Sequence, residues 1–238
     1  MINFITNGKS NTMKKLLLLL LIILPGLIIA QNYDFTFEKK ADLNSDGKKD
    51  HIVLEKYVND FDFRLKINDS EISGNIDDEP DGFIVIDINK YDAFKEIAVH
   101  TPGPSDDDVF MLYWYDGKEI KYMNTLARWP EFKGNGIVYV TSWEGFWSPK
   151  DKYILDESKR KLKPVKQFAY YVGQEVQCNK GFPIYKEKEL KNKVALLKSN
   201  STIEIILCDK DGYEWNDHRF LIKSSSKLLG WTDYKTLE

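Results

Sequence analysis

After residue 30, hydrophobic and polar positions alternate with period two through much of the chain. Tyr33-Asp34-Phe35-Thr36-Phe37-Glu38 and Phe61-Asp62-Phe63-Arg64-Leu65-Lys66-Ile67-Asn68 show it cleanly. That period turns one set of side chains to a core and the other to water, as in a half-buried strand. Ile52-Val53-Leu54, Phe83-Ile84-Val85-Ile86, Ile97-Ala98-Val99, Val109-Phe110-Met111-Leu112-Tyr113-Trp114-Tyr115 and Ile137-Val138-Tyr139-Val140-Thr141 are unbroken β-branched or aromatic runs. They read as more deeply buried strands. Asn68-Asp69-Ser70, Gly74 and Pro80-Asp81-Gly82 interrupt the pattern, and Asp116-Gly117 predicts a hairpin whose return strand carries Ile120 and Tyr122. Further strands are expected at 151–155, 182–185, 193–197, 202–207, 220–223 and 229–234. The expected class is mainly β.

Between the first two strands lies Asp42-Leu43-Asn44-Ser45-Asp46-Gly47-Lys48-Lys49-Asp50. Oxygen side chains at Asp42, Asn44, Asp46 and Asp50 occupy positions 1, 3, 5 and 9, with glycine at position 6. This is a calcium-loop pattern, because Ca²⁺ needs about 6–8 oxygens and alternate side chains of a tight loop can meet at one point. The Lys48 carbonyl would supply the seventh-position oxygen. Position 12 is Val53, so the loop is not an EF-hand, which carries a bidentate Glu there. The alternative is an Asp/Asn/Gly turn without metal. A weaker copy follows the strand at 83–86: Asp87, Asn89, Asp92 and Glu96 stand in for the first four ligands, with one extra residue and no glycine. It holds a second calcium or is a degenerate repeat kept as a turn.

The frame of strand, D-x-N-x-D-G-x-x-D loop and apolar strand resembles the FG-GAP/VCBS type of repeat. The resemblance implies an N-terminal antiparallel β domain of propeller-blade-like repeats over residues 31–167, with Ca²⁺ as its ligand. Residues 168–238 resemble a bacterial SH3-like (SH3b) domain: short strands in close succession end in Gly230-Trp231. That implies a small C-terminal β-barrel. The asparagine-valine-arginine stretch usual in the first strand of that family is absent.

Lys14-Lys15, the apolar run 16–24, Pro25-Gly26 and Ala30 have the anatomy of a cleaved signal peptide covering residues 1–30. The run is shorter than the ~18–20 residues of a spanning helix. The expected product is therefore secreted or periplasmic and not an integral membrane protein. Cleavage removes three lysines and no acid, moving the formal charge from −3 to −6. An acidic chain disfavours nucleic acid as a partner. Two cysteines, Cys178 and Cys208, either pair after export or stay as buried thiols.

Trp143, Phe146 and Trp147 share a stretch between two strands and either contact a partner or cap a β-core. Asp106-Asp107-Asp108 reads as a solvated loop, or lends a ligand to a neighbouring loop. Lys159-Arg160-Lys161 reads as a linker or hairpin edge with a solvated charged face. His51, His100 and His218 stand outside the usual zinc and hydrolase motifs, and no G-x-S-x-G, phosphate loop or C-x-x-C occurs. The expected function is a non-catalytic, calcium-stabilised extracytoplasmic binding protein acting on a cell-wall component or envelope protein. The alternatives are a periplasmic inhibitor or immunity protein against a lysozyme-like hydrolase, and a cell-wall hydrolase with an SH3-like targeting domain.

Overall fold

The alternating segments pair with their sequence neighbours, so the chain lays down one antiparallel sheet after another. The computed structural model describes residues 33–56, 62–75, 78–104, 107–210 and 217–237; the expected signal segment 1–30 and Asp106 lie outside them. The first sheet holds β1 (Glu38–Ala41), β2 (Asp50–Lys56), β3 (Asp62–Ile67) and β4 (Ser70–Asn75). The second holds β5 (Gly82–Ile86), β6 (Glu96–Thr101), β7 (Val109–Tyr115) and β8 (Ile120–Ala127). The third holds β9 (Pro130–Phe132), β10 (Ile137–Thr141), β11 (Lys150–Asp156) and β12 (Lys161–Pro164). In all three the strands lie in chain order, so one four-stranded meander occurs three times.

Register puts the apolar set of each strand on one side. Ile52 faces Ile67, and Leu54 faces Leu65, across β2 and β3. These four pack with Leu43 and Phe63 against Phe83, Ile97, Val99, Tyr113 and Tyr115, so the first two sheets share a core. Gly74 is not a break as expected but a member of β4: a Cβ there would lie 2.2 Å from the Phe63 ring. The glycine makes room for the largest core side chain of its neighbour strand.

The last sheet contains β13 (Tyr170–Gln177), β14 (Pro183–Tyr185), β15 (Lys193–Leu196), β16 (Thr202–Asp209), β17 (Arg219–Ser224) and β18 (Leu229–Asp233). Its order is β13-β16-β17-β18-β14-β15. The expected barrel is not closed: β13 and β15 are the free ends of an open sheet. The reason is local. Strand β14 has three residues and meets β18 through the single pair Tyr185–Trp231. That is too little pairing to carry the sheet round to its other edge, and Val194 and Leu196 on β15 stay exposed. The core of this sheet is Ile184, Ile203, Ile205, Cys208, Phe220 and Ile222, completed by Trp147 from the loop after β10. No helix among the described residues is long and apolar enough to cross a membrane.

Candidate functional site

The β1–β2 loop (42–50) and the β5–β6 loop (87–96) make the same contacts position by position. In the first, Leu43 N–H donates to Asp50 Oδ2 at 3.0 Å; in the second, Ile88 N–H donates to Glu96 Oε2 at 3.0 Å. Asn44 Oδ1 accepts from Asp46 N–H and Asn89 Oδ1 from Tyr91 N–H, both at 3.3 Å. Asp46 Oδ1 accepts from Lys48 N–H and Asp92 Oδ1 from Phe94 N–H, both at 2.8 Å. Asp42 Oδ1 and Asp87 Oδ1 are both buried without a hydrogen-bond partner. The extra residue of the second loop is absorbed before Asp92, so the four oxygen positions keep their correspondence.

Consecutive loops are also tied to each other. Lys95 N–H donates to Leu43 O at 2.8 Å, and Gly136 N–H donates to Ile88 O at 2.7 Å. Lys95 and Gly136 each immediately precede the second strand of their sheet, so the same link joins loop one to loop two and loop two to the β9–β10 turn. The third meander has the same strand order and the same link, but its turn, Lys133-Gly134-Asn135-Gly136, carries no acid. Each loop asparagine in turn meets the hairpin tip of the following sheet. A Cβ on Gly117 would lie 2.6 Å from Asn44 Nδ2, and Asn89 Nδ2 donates to Glu157 Oε1 at 2.9 Å.

The two loops differ in what neutralises them. In the second, Arg160 from the β11–β12 turn bonds Asp92 Oδ2 at 2.6 Å and also contacts Glu96 Oε1. Its guanidinium lies 4.8 Å from the Phe94 ring centre and 5.4 Å from that of Trp114. Arg160 is 6 % exposed and adopts a positive φ of 49°, whereas Lys159 and Lys161 beside it face water. The solvated face expected of this basic stretch therefore holds for the lysines and fails for the arginine. Burial pushes the Glu96 carboxyl up to about 7, against the opposing pull of the Ile88 amide and Arg160. Burial, helped by Asp92, also raises the Asp87 carboxyl.

Among the described residues the first loop has no such counter-ion. Asp50 is 5 % exposed and binds Leu43 N–H with one oxygen and Asn68 Nδ2, at 2.8 Å, with the other. Asp42 Oδ2 accepts from Gly47 N–H at 3.0 Å, and Gly47 takes the positive φ of 82° that the turn requires. No lysine or arginine among the described residues pairs with Asp42, Asp46 or Asp50. No three His, Cys, Asp or Glu side chains among the described residues stand together as a ready metal cluster. The donor set nevertheless fits a hard cation: carboxylate and amide oxygens only, one of them a buried, unpartnered carboxylate atom. Asp42, Asn44, Asp46, the Lys48 carbonyl and Asp50 would hold it.

The aromatic stretch divides. Trp147 is 2 % exposed, edge-on to Phe220 at 6.3 Å, and Phe146 packs beside it; both serve the core of the last sheet. Trp143 is 55 % exposed and lines a cleft of about 350 Å³ with Arg128, Trp129, Thr141, Ser142 and Ser148. Of the acidic run, Asp108 is buried on a histidine rather than joined to a loop. His100 Nε2 lies 3.1 Å from Asp108 Oδ1 and its Nδ1 lies 2.7 Å from Asp81 Oδ1. The cysteines are separate buried thiols. Tyr170 faces Cys208 and Gln177 faces Thr202 on the β13–β16 ladder, so Cys178 and Cys208 sit at opposite ends. At ~3.4 Å per residue they are roughly 20 Å apart, well beyond the ~7 Å reach of a disulfide.

Arg160, Trp129 and the Asp81–His100–Asp108 set went unpicked in the sequence. Arg160 is masked by flanking lysines; Trp129 and His100 carry no motif, and their partners come from other strands. No known family model, curated protein or solved structure matches the chain.

Proposed function

We propose that this chain is a non-catalytic, calcium-stabilised binding protein of the extracytoplasmic space, built on propeller-blade-like repeats followed by a small β domain. One observation carries the reading: two loops share their hydrogen-bond pattern, and among the described residues the second has an arginine on its acids and the first has none. Carboxylates held close together repel unless a cation neutralises them. Arg160 supplies that cation in the protein itself, and Ca²⁺ supplies it at loop 42–50. The bound ion would tie β1 to β2 and fix the edge on which the Gly117 hairpin rests. Export through residues 1–30 would deliver the chain to where calcium is abundant.

Isothermal titration of chelator-treated protein with CaCl₂ tests this. One site per chain is expected, with Kd on the order of 10⁻⁴–10⁻³ M as in extracellular modules. Two sites would count against Arg160 as the cation of the second loop; none would remove the calcium reading. The alternative of an inhibitor against a cell-wall hydrolase rests on the D-x-N-x-D-G β domain and, of the aromatic stretch, keeps Trp143, since Phe146 and Trp147 pack into the core.

A further inference from the structure

We infer that the cleft between Trp129 and Trp143 is a binding site for a neutral oligosaccharide. The inference gives the binding protein proposed above its ligand and stands whether or not loop 42–50 takes calcium.

Both indoles are exposed; packed rings back Trp129, and Trp143 stands on a hydrogen-bonded loop. Trp129 is 43 % exposed. Its ring meets His100 at 5.1 Å, Phe110 at 5.5 Å and Phe35 at 6.2 Å, ring centre to ring centre, in tilted and edge-on contacts. Phe35 stacks on His100 at 4.4 Å and 8°, and the carboxylates of Asp81 and Asp108 grip both ring nitrogens of that histidine. His100, buried and held between buried Asp108 and the more exposed Asp81, thus backs Trp129. Trp143 is fixed by its own loop. Ser142 N–H donates to Pro149 O at 3.1 Å and Glu144 N–H to Trp147 O at 2.9 Å. Lys210 Nζ clamps Glu144 at 2.7 Å, and Trp147 anchors the loop in the last core. The exposed parts of these indoles bury no area in the fold, and the support behind Trp129 and beneath the Trp143 loop lowers the ordering cost of binding.

The walls between them choose the ligand. Thr141, Ser142 and Ser148 bring hydroxyls that donate and accept, and Arg128 brings a planar donor fork. Indole faces cover the C–H faces of a pyranose, while hydroxyls and guanidinium meet its ring oxygens and hydroxyl groups. Arg128 is already shared with Asp107, at 3.7 Å, and that aspartate is largely exposed. An anionic ligand therefore meets an offset cation and a like charge, so the neutral class fits better. A proline-rich peptide also uses aromatic clefts, but three hydroxyls are more than its few free carbonyls require.

The test is titration of the full chain, followed by tryptophan fluorescence, with four probes: cellotetraose, tetra-N-acetylchitotetraose, tetragalacturonate and a proline-rich decapeptide. One of the two neutral tetrasaccharides should bind saturably with Kd on the order of 0.1–1 mM, and tetragalacturonate more weakly. Trp143→Ala should weaken binding about tenfold or more with an unchanged melting temperature, because Trp143 is outside the core. Arg128→Gln should weaken it less. Calcium titration of Trp143→Ala should match the parent, separating this site from the metal loop. No saturable binding of either neutral probe, tighter binding of the galacturonate or the peptide, or binding unaffected by Trp143→Ala would each overturn the inference.

Discussion

Arg160 places a guanidinium against the buried Glu96 carboxylate although the two residues are 64 positions apart in the chain. The contact joins the tip of the third meander to the loop of the second. It occupies acids that correspond, one by one, to those of loop 42–50. One loop thus has a guanidinium on its acids, whereas among the described residues no lysine or arginine pairs with Asp42, Asp46 or Asp50 in the other; under the proposed function an external cation takes that role.

Arg160→Ala should destabilise the fold by about 3–5 kcal/mol, because removing one partner of a buried pair strands the other charges. The double change Arg160→Ala with Glu96→Gln should cost less than the sum of the singles. Urea unfolding at neutral pH measures both. A loss under about 1 kcal/mol for the single change would show that the pair contributes little.

Asp116, at the hairpin tip beside Asn44, gives a pH signature. Lys121 and the amides of Glu119 and Lys118 hold its carboxyl down to about 2 from an ordinary 3.8. Its folded pKa is depressed, so its stabilisation is present above pH ~4 and is lost as pH falls towards 2. Asp116→Asn should flatten that acid limb and lower neutral-pH stability by on the order of 1 kcal/mol after allowance for solvent screening. Chemical denaturation at pH 2, 3, 4 and 7 reads it; parallel acid limbs in the two proteins would rule the assignment out.

The cysteines should stay reduced on the time scale of purification. Burial pushes the Cys208 thiol up to about 12 and raises Cys178 as well, and thiolate rather than thiol is the reactive form. A thiol reagent added without reductant should find both thiols in denaturant and react slowly with the native protein. An absence of thiols in the denatured, unreduced chain would contradict the separation along β13 and β16.

Much of the β architecture was legible because half-buried strands write their period into the chain. Strands β2, β3, β5–β7, β10, β11 and β16–β18 coincide with the apolar runs. The correspondence of Asp42, Asn44, Asp46 and Asp50 with Asp87, Asn89, Asp92 and Glu96 was legible too, despite the extra residue. Strand β4 was hidden because Gly74 reads as a break until Phe63 is seen filling its space. Strands β9 and β12, of three and four residues, carry too little period to register. Barrel closure in the last sheet depends on how far β14 pairs, which composition does not encode. Arg160, Trp129, and Asn68 on Asp50 escaped for a common reason. Each acts on a partner brought near only by the stacking of strands, and its sequence neighbours point elsewhere.

Thermal unfolding in calcium, magnesium and chelator, of the parent chain, Asp46→Ala and Asp92→Ala, tests the central claim most directly. Millimolar Ca²⁺ acting on a site with Kd of 10⁻⁴–10⁻³ M stabilises the folded state by only about 0.4–1.4 kcal/mol. The parent should therefore melt a few degrees higher in calcium than in chelator, with a smaller response to magnesium, which prefers a tighter octahedral shell with retained waters. Asp46→Ala should lose the calcium response. Asp92→Ala should melt lower in every buffer, because Arg160 loses a partner, yet keep the calcium increment. Identical parent melts in calcium and chelator, or a calcium response abolished by Asp92→Ala and untouched by Asp46→Ala, would contradict loop 42–50 as the calcium site.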